Sequence, residues 1–268
     1  MQTKKTNCRG RATWAVLILA LAAGTSHGST VTTPYHHTFT HNDPAATNDF
    51  VLGTTPVSDP AWAKWETLSG NHLRNYLMGA SAKKVLGGWA TLEFSDIGGT
   101  ASEALNFSLE SAIRVYSTDS SLTNRPDAHG GFCVLADNAD ISQSSHYYAR
   151  VFFTNVVGNV ILSKVVDGVE SQLVAMTPTT LTYDRAWWYE TKLTGVYDTR
   201  ANPSLTLTLS VSRNGETNTV ELVDPQPLTG RRFGIRNQLV RTNVYFLNNG
   251  LKVESWPVVH PGTVIVVK

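Results

Sequence analysis

The sequence predicts an all-β protein folded as an antiparallel β-sandwich, and three observations carry that expectation. Apolar and polar side chains alternate with a period of two along most of the chain from Tyr35 onward. The turn dipeptides Asp167-Gly168 and Asn214-Gly215 separate alternating runs, and helical periodicity is almost absent. A period of two places successive side chains on opposite faces of a strand. Ten or more such runs joined by tight links make two stacked sheets the default architecture.

The first 28 residues read as a secretory signal peptide. Lys4, Lys5, Arg9 and Arg11, with no acid among them, precede a 13-residue apolar run over residues 12–24, and Ser26 and Gly28 supply small residues for cleavage. The run is short of the ~20 residues a spanning helix needs. The expected mature protein is therefore exported, to the medium, the periplasm or the cell surface, without membrane insertion. Removing residues 1–28 takes four of the 22 Lys+Arg and none of the 21 Asp+Glu, so the formal charge moves from +1 to −3. That removes the electrostatic support for a nucleic-acid or anionic-membrane partner. It also removes Cys8 and leaves Cys133 as the sole thiol, so the fold rests on its core and not on a disulfide. Cys133 lies in "GGFCVLAD", an apolar strand, where a buried inert thiol is the expectation.

The next element is "HHTFTHND", residues 36–43, with three histidines and an aspartate. Thr38, Phe39 and Thr40 favour a strand. On a strand His37 and His41 share a face about 13 Å apart, at ~3.3 Å per residue. Zn–N bonds of only ~2.0–2.1 Å cannot span that distance.

The long run "LNFSLESAIRVYS", residues 105–117, puts Phe107, Leu109, Ile113 and Val115 on one face and Glu110, Arg114 and Tyr116 on the other. The same alternation recurs in "HYYARVFFT", "NVILSKVV", "WWYETKLTGV", "SLTLTLSVS", "TNTVELV", "RRFGIRN" and "VYFLNNGLKV". Asp167-Gly168 and Asn214-Gly215 fit two-residue hairpins whose central residues take positive φ, and Gly158-Asn159 is a third candidate. Nothing divides the mature chain, so one domain is expected over residues 29–255, with residues 256–268 a tail or an extra strand.

Taken together, "GGFCVLAD", "YYARVFFT", "ILSKVVDG", "WWYETKLTG", "LTLSVSRNG", "GRRFGIRN" and "VYFLNNGLKV" resemble the concanavalin A-like lectin/glucanase superfamily, within it the secreted bacterial laminin G-like jelly rolls. The resemblance runs from residue 38 to residue 254. It implies a jelly roll in which the first strand, near Phe39, lies beside the last, near Phe246. It also implies a structural Ca2+ where those strands meet, with Asp43 or Asn42 on the first side. On the other side Asn248 stands where the resemblance leads one to expect Asp, which removes a negative ligand and weakens the site.

Glycosidases similar to this fold carry paired strand carboxylates about 5–5.5 Å apart in a retaining mechanism. The nearest candidates, Glu93 and Asp96, are three residues apart, face opposite ways on a strand and are followed by no glutamate. The Arg/Glu/Arg and Tyr-Lys strand motifs of similar polysaccharide lyases are missing, as are Gly-x-Ser-x-Gly and His-Glu-x-x-His. Asp137 and Asp140 in "ADNAD" read as turn carboxylates.

A binding surface remains. Trp187 and Trp188 are adjacent, so one faces the core; alternation groups Trp187 with Tyr189 and Leu193, and leaves Trp188 outside with Glu190 and Lys192. Arg114, Arg150 and Arg236 lie on the polar side of their strands, and Tyr148 shares a side with Arg150. If those strands are neighbours, Trp188, Arg114, Arg150, Arg236, Tyr148 and Glu190 form one floor for a glycan. The competing reading pairs the arginines with Glu190 or Glu110 across strands. The expected function is non-catalytic binding of extracellular polysaccharide or another glycan. The alternatives are a structural or adhesive envelope module with no small ligand, and a polysaccharide hydrolase or lyase lacking the usual carboxylate motif.

Overall fold

The computed structural model describes residues 35–37, 54–55, 63–68, 72–77, 85–97, 105–117, 124–154, 157–176, 181, 187–198, 203–239, 242–246 and 251–258. Residues 1–28, read above as a signal peptide, lie outside them. In chain order the strands are β1 (Tyr35–His37), β2 (Thr54–Thr55), β3 (Ala63–Leu68), β4 (His72–Leu77), β5 (Val85–Glu93), β6 (Leu105–Ser117), β7 (Asn124–Ala136) and β8 (His146–Thr154). They continue with β9 (Val157–Val166), β10 (Val169–Met176), β11 (Tyr189–Asp198), β12 (Ser204–Arg213), β13 (Glu216–Asp224), β14 (Arg232–Leu239), β15 (Thr242–Phe246) and β16 (Leu251–Pro257). A 3₁₀ turn, Phe94–Ile97, follows β5. No helix among the described residues is long and apolar enough to cross a membrane.

The strands form two antiparallel sheets. One has seven strands in the order β10-β9-β8-β7-β14-β5-β2, and the other has nine, with β13-β12-β11-β6-β15-β4-β3 as its main path. The 13-residue β6 organises the larger sheet. One edge pairs with β11, while the other carries β16 along its first half and β15 along its second.

Alternation on each strand then builds the core. β12 buries Leu205, Leu207, Leu209 and Val211, and β6 buries Phe107, Leu109, Ile113 and Val115. They meet Phe132, Val134, Tyr147, Ala149, Val160, Leu162, Phe233 and Ile235 of the seven-stranded sheet. Each such side chain contributes about 1.5–3 kcal/mol by leaving water. Phe94 lies against Phe107 and Phe233, with ring centroids 5.4 and 4.9 Å away. Gly195 is dictated by packing, because a Cβ there would lie 2.2 Å from the Phe107 ring.

A polar tie joins the two sheets and is satisfied. Tyr147 Oη on β8 donates to Asp224 Oδ2 on β13 at 2.5 Å, and Lys164 Nζ on β9 donates to the same oxygen at 2.7 Å. Burial pushes the Asp224 carboxyl up, but the bonds from Lys164, Tyr147 and the Gln226 backbone outweigh it and hold the group below its ordinary range.

Turn chemistry acts as expected at two hairpins. Asp167-Gly168 joins β9 to β10 with φ of 49° and 78°, and Asn214-Gly215 joins β12 to β13 with φ of 52° and 83°. Two expectations are corrected. Gly158 and Asn159 sit inside β9, opposite Phe153 and Phe152, and not in a turn; this register sets Val160 and Leu162 against Val151 and Ala149 in the core. The first strand does pair with the last, but that last strand is β16, with Tyr35 opposite Val253; Phe246 lies on β15, beside β4 and β6. β16 runs on through Trp256 and Pro257.

Candidate functional site

The outer face of the nine-stranded sheet carries an aromatic cleft. Tyr189, Thr191 and Leu193 point into the core from β11, so Glu190 and Lys192 point out, and Trp188 lies outside at the start of the strand. Trp187 packs partly against the core, with the Arg213 guanidinium 3.8 Å from its ring centre. Arg213 Nη1 donates to the Trp188 carbonyl at 2.9 Å, tying the β12–β13 hairpin to the strand entrance. Arg114, outward between Ile113 and Val115, sits 5.7 Å from the Trp188 ring centre. The cleft, of about 360 Å³, is lined by Trp188, Glu190, Ser212, Arg213, Asn214 and Thr217. Glu190 brings a carboxylate among hydroxyls and an amide, while the Arg213 guanidinium turns to Trp187 and Tyr189, its Nε buried without a hydrogen-bond partner.

The outer face of the seven-stranded sheet is built differently. There Tyr148 is fully buried, with Arg236 4.4 Å and Arg150 5.4 Å from its ring centre. Tyr148 Oη donates to the Arg236 carbonyl at 3.2 Å and lies 2.6 Å from His129 Nδ1. Burial pushes the phenol well above its ordinary range, although both arginines act against it. His146 Nδ1 faces the Ser144 carbonyl at 3.0 Å, and its Nε2 accepts from Arg236 Nη1 at 2.7 Å. Burial and then the Arg236 charge push this imidazole down to about 4, so it is neutral near pH 7. Glu170 pairs with Arg150 and reaches Arg236 Nη2 at 3.5 Å.

The six candidate residues are thus divided between two faces. Trp188, Arg114 and Glu190 share the nine-stranded sheet, while Arg150, Arg236 and Tyr148 share the seven-stranded one, so the single floor does not form. Alternation fixes a side chain's face within its own sheet, but the sheet is chosen by distant pairings. The arginine partners differ too: Glu170 takes Arg150 and Arg236, while Glu110 takes Lys192 at 2.5 Å. Asp43, Asn42 and Asn248 lie outside the described residues. Of the carboxylates considered for catalysis, only Glu93 is on a strand, and it pairs with Arg232 at 2.7 Å; Asp96 belongs to the 3₁₀ turn. Asp137 and Asp140 cap their own loop, accepting from the backbone N–H groups of Ser145 and Ser142 at 2.9 Å. Cys133 is fully buried, and burial pushes its thiol up to about 12, which leaves it inert.

Sequence reading missed Arg213, Asn214 and Ser212 in the cleft, and Glu170 and His146 on the other face. The signals were the two turns. A two-residue hairpin at Asn214-Gly215 sets Ser212 opposite Thr217, and one at Asp167-Gly168 sets Glu170 opposite Val165.

No family model and no curated protein matches this sequence. Solved structures match its shape. A seed lectin of Lotus tetragonolobus is 11% identical, covering 85% of this chain and all of the lectin, with a TM-score of 0.50. Acidic winged bean lectin, complexed with methyl-α-D-galactose, is 8% identical over 84% of this chain and 98% of its own, with a TM-score of 0.51. Basic winged bean lectin with Tn-antigen is 9% identical over 86% and 99%, with a TM-score of 0.51. At such identities the likeness shows the fold, and that fold is the concanavalin A-like jelly-roll sandwich.

Proposed function

We propose that this protein is a secreted, non-catalytic, laminin G-like module that binds extracellular carbohydrate at the Trp188 cleft. The observation that carries the reading is the composition of that cleft. Indole beside Glu190, Arg213, Asn214, Ser212 and Thr217 offers an apolar plate ringed by donors and acceptors at fixed strand positions. Sugars present the matching surface, because C–H bonds line one side of a pyranose while hydroxyls radiate from its edge. Hydroxyls and an amide around the indole suit a hydroxyl-rich ligand. Support from the fold is general: winged bean lectins have been captured with methyl-α-D-galactose and Tn-antigen.

An array of immobilised extracellular polysaccharides tests the reading. Capture by at least one polymer, with loss of capture in Trp188→Ala, is expected. No capture by any polymer would leave the structural or adhesive alternative in its place. Release of reducing ends or unsaturated products from those polymers would overturn the non-catalytic part.

A further inference from the structure

The face opposite the cleft carries a pair of arginines, with Asp137 near enough to act on the neighbouring His146. Among the described residues Arg150 and Arg236 share one carboxylate, Glu170, while the neutral His146 adds no charge. The Nε atoms of both arginines and the Ser163 hydroxyl are buried without hydrogen-bond partners. Arg236 is only 8% exposed. A buried cation with unsatisfied donors is costly unless an anion completes it.

Glycines flank the arginine pair in the sheet. Gly131 on β7 has Arg150 of β8 on one side and Arg236 of β14 on the other, and Gly88 flanks Arg236 on its far side. No side chain therefore stands between the two arginine stems, which are two strand spacings, about 10 Å, apart. A Cβ at Gly131 would lie 1.8 Å from the Ala149 carbonyl oxygen, so the glycine is obligatory. Stacking over Tyr148 holds both guanidiniums, while His146 and Glu170 fix one edge of the pair. Arg150 and Glu170 keep 14% and 27% of their side-chain surface in solvent, so the pair meets solvent along that edge.

We propose that Arg150 and Arg236 form a carboxylate-binding site on the outer face of the seven-stranded sheet, which takes the uronic-acid residue of an acidic glycan. Guanidinium forks match the planar geometry of a carboxylate. Ser163 Oγ, beside Tyr148 on β9, is placed as a further donor. The carboxylate stands on this cluster alone, while the sugar that carries it rests on the function proposed above.

The test is titration of the ¹⁵N-labelled full chain with sodium glucuronate, its methyl ester and sodium acetate. Glucuronate is expected to shift the backbone amides of Gly131, Tyr148 and Ser163, and the ester is not. Arg150→Gln is expected to weaken glucuronate roughly tenfold or more, the loss of a charge-assisted hydrogen bond. Arg150→Lys, which keeps the charge and the fold but loses the fork, should fall between. Equal binding of the ester, or undiminished binding by Arg150→Gln with native amide dispersion, overturns the site. Acetate matching glucuronate in affinity keeps the carboxylate and overturns the sugar. Glucuronate binding by a protein that captures no neutral polysaccharide would sustain this site while the cleft reading falls.

Discussion

The two outer faces of the sandwich arise from the same alternation and reach opposite states. On the nine-stranded sheet Glu190 and Lys192 stand exposed, and Lys192 pairs with Glu110 in open solvent. On the seven-stranded sheet Tyr148, His146 and Ser163 are fully buried, and Arg236 nearly so. Polar periodicity on a strand therefore says only that a residue avoids the oily interior. Whether its face is wet depends on its neighbours: small and charged side chains leave the first face open, while stacked arginine and tyrosine close the second.

The sharpest way to break this contrast is to add a methyl group on the closed face. Gly131→Ala, whose Cβ meets backbone and not a flexible side chain, is expected to cost about 3 kcal/mol or more in denaturant unfolding. Acid comes next. The His146 pKa is lowered from 6.5 to about 4, so on acidification the unfolded chain takes up this proton first. Its contribution is complete above about pH 6.5 and is lost as pH falls through about 4, on the order of 3 kcal/mol at about 1.4 kcal/mol per pH unit. A His146→Gln variant should lose that part of the pH dependence; an unchanged profile would contradict the closed, cationic surroundings drawn for it.

On the open face the same kinds of change do less. Gly215→Ala meets nothing within 4 Å, but φ of 83° strains an L-residue, and about 1 kcal/mol of stability should go. Lys192→Met removes an exposed pair and should move stability by no more than about 0.5 kcal/mol, less still in high salt. A loss as large as that of Gly131→Ala would erase the distinction between the faces.

Local rules were legible wherever one face of a strand is buried. The run read over residues 105–117 is β6 from end to end, and the turns at Asp167-Gly168 and Asn214-Gly215 have the positive φ their residues favour. The candidate site was half legible. Trp188 stands outside with Glu190, and Arg150 meets Tyr148, as alternation within a strand requires. What could not be read is which strands are neighbours. β6 pairs with β11 across some 80 residues of sequence, and β7 with β14 across some 100, so the division of the arginines depends on long-range pairing that no local pattern encodes. "VYFLNNGLKV" misled for a related reason: β15 ends at Phe246 and β16 begins at Leu251, and Asn248, Asn249 and Gly250 between them are residue types that favour turns.

The claim that the open face recognises sugar is tested most directly by electrophoresis through native gels cast with neutral β-glucan, xylan or galactomannan. The account predicts that the wild-type protein is retarded in at least one of these gels, while Trp188→Ala migrates as it does without polymer. Unretarded migration of the wild type in every gel, or equal retardation of the two proteins, would contradict it.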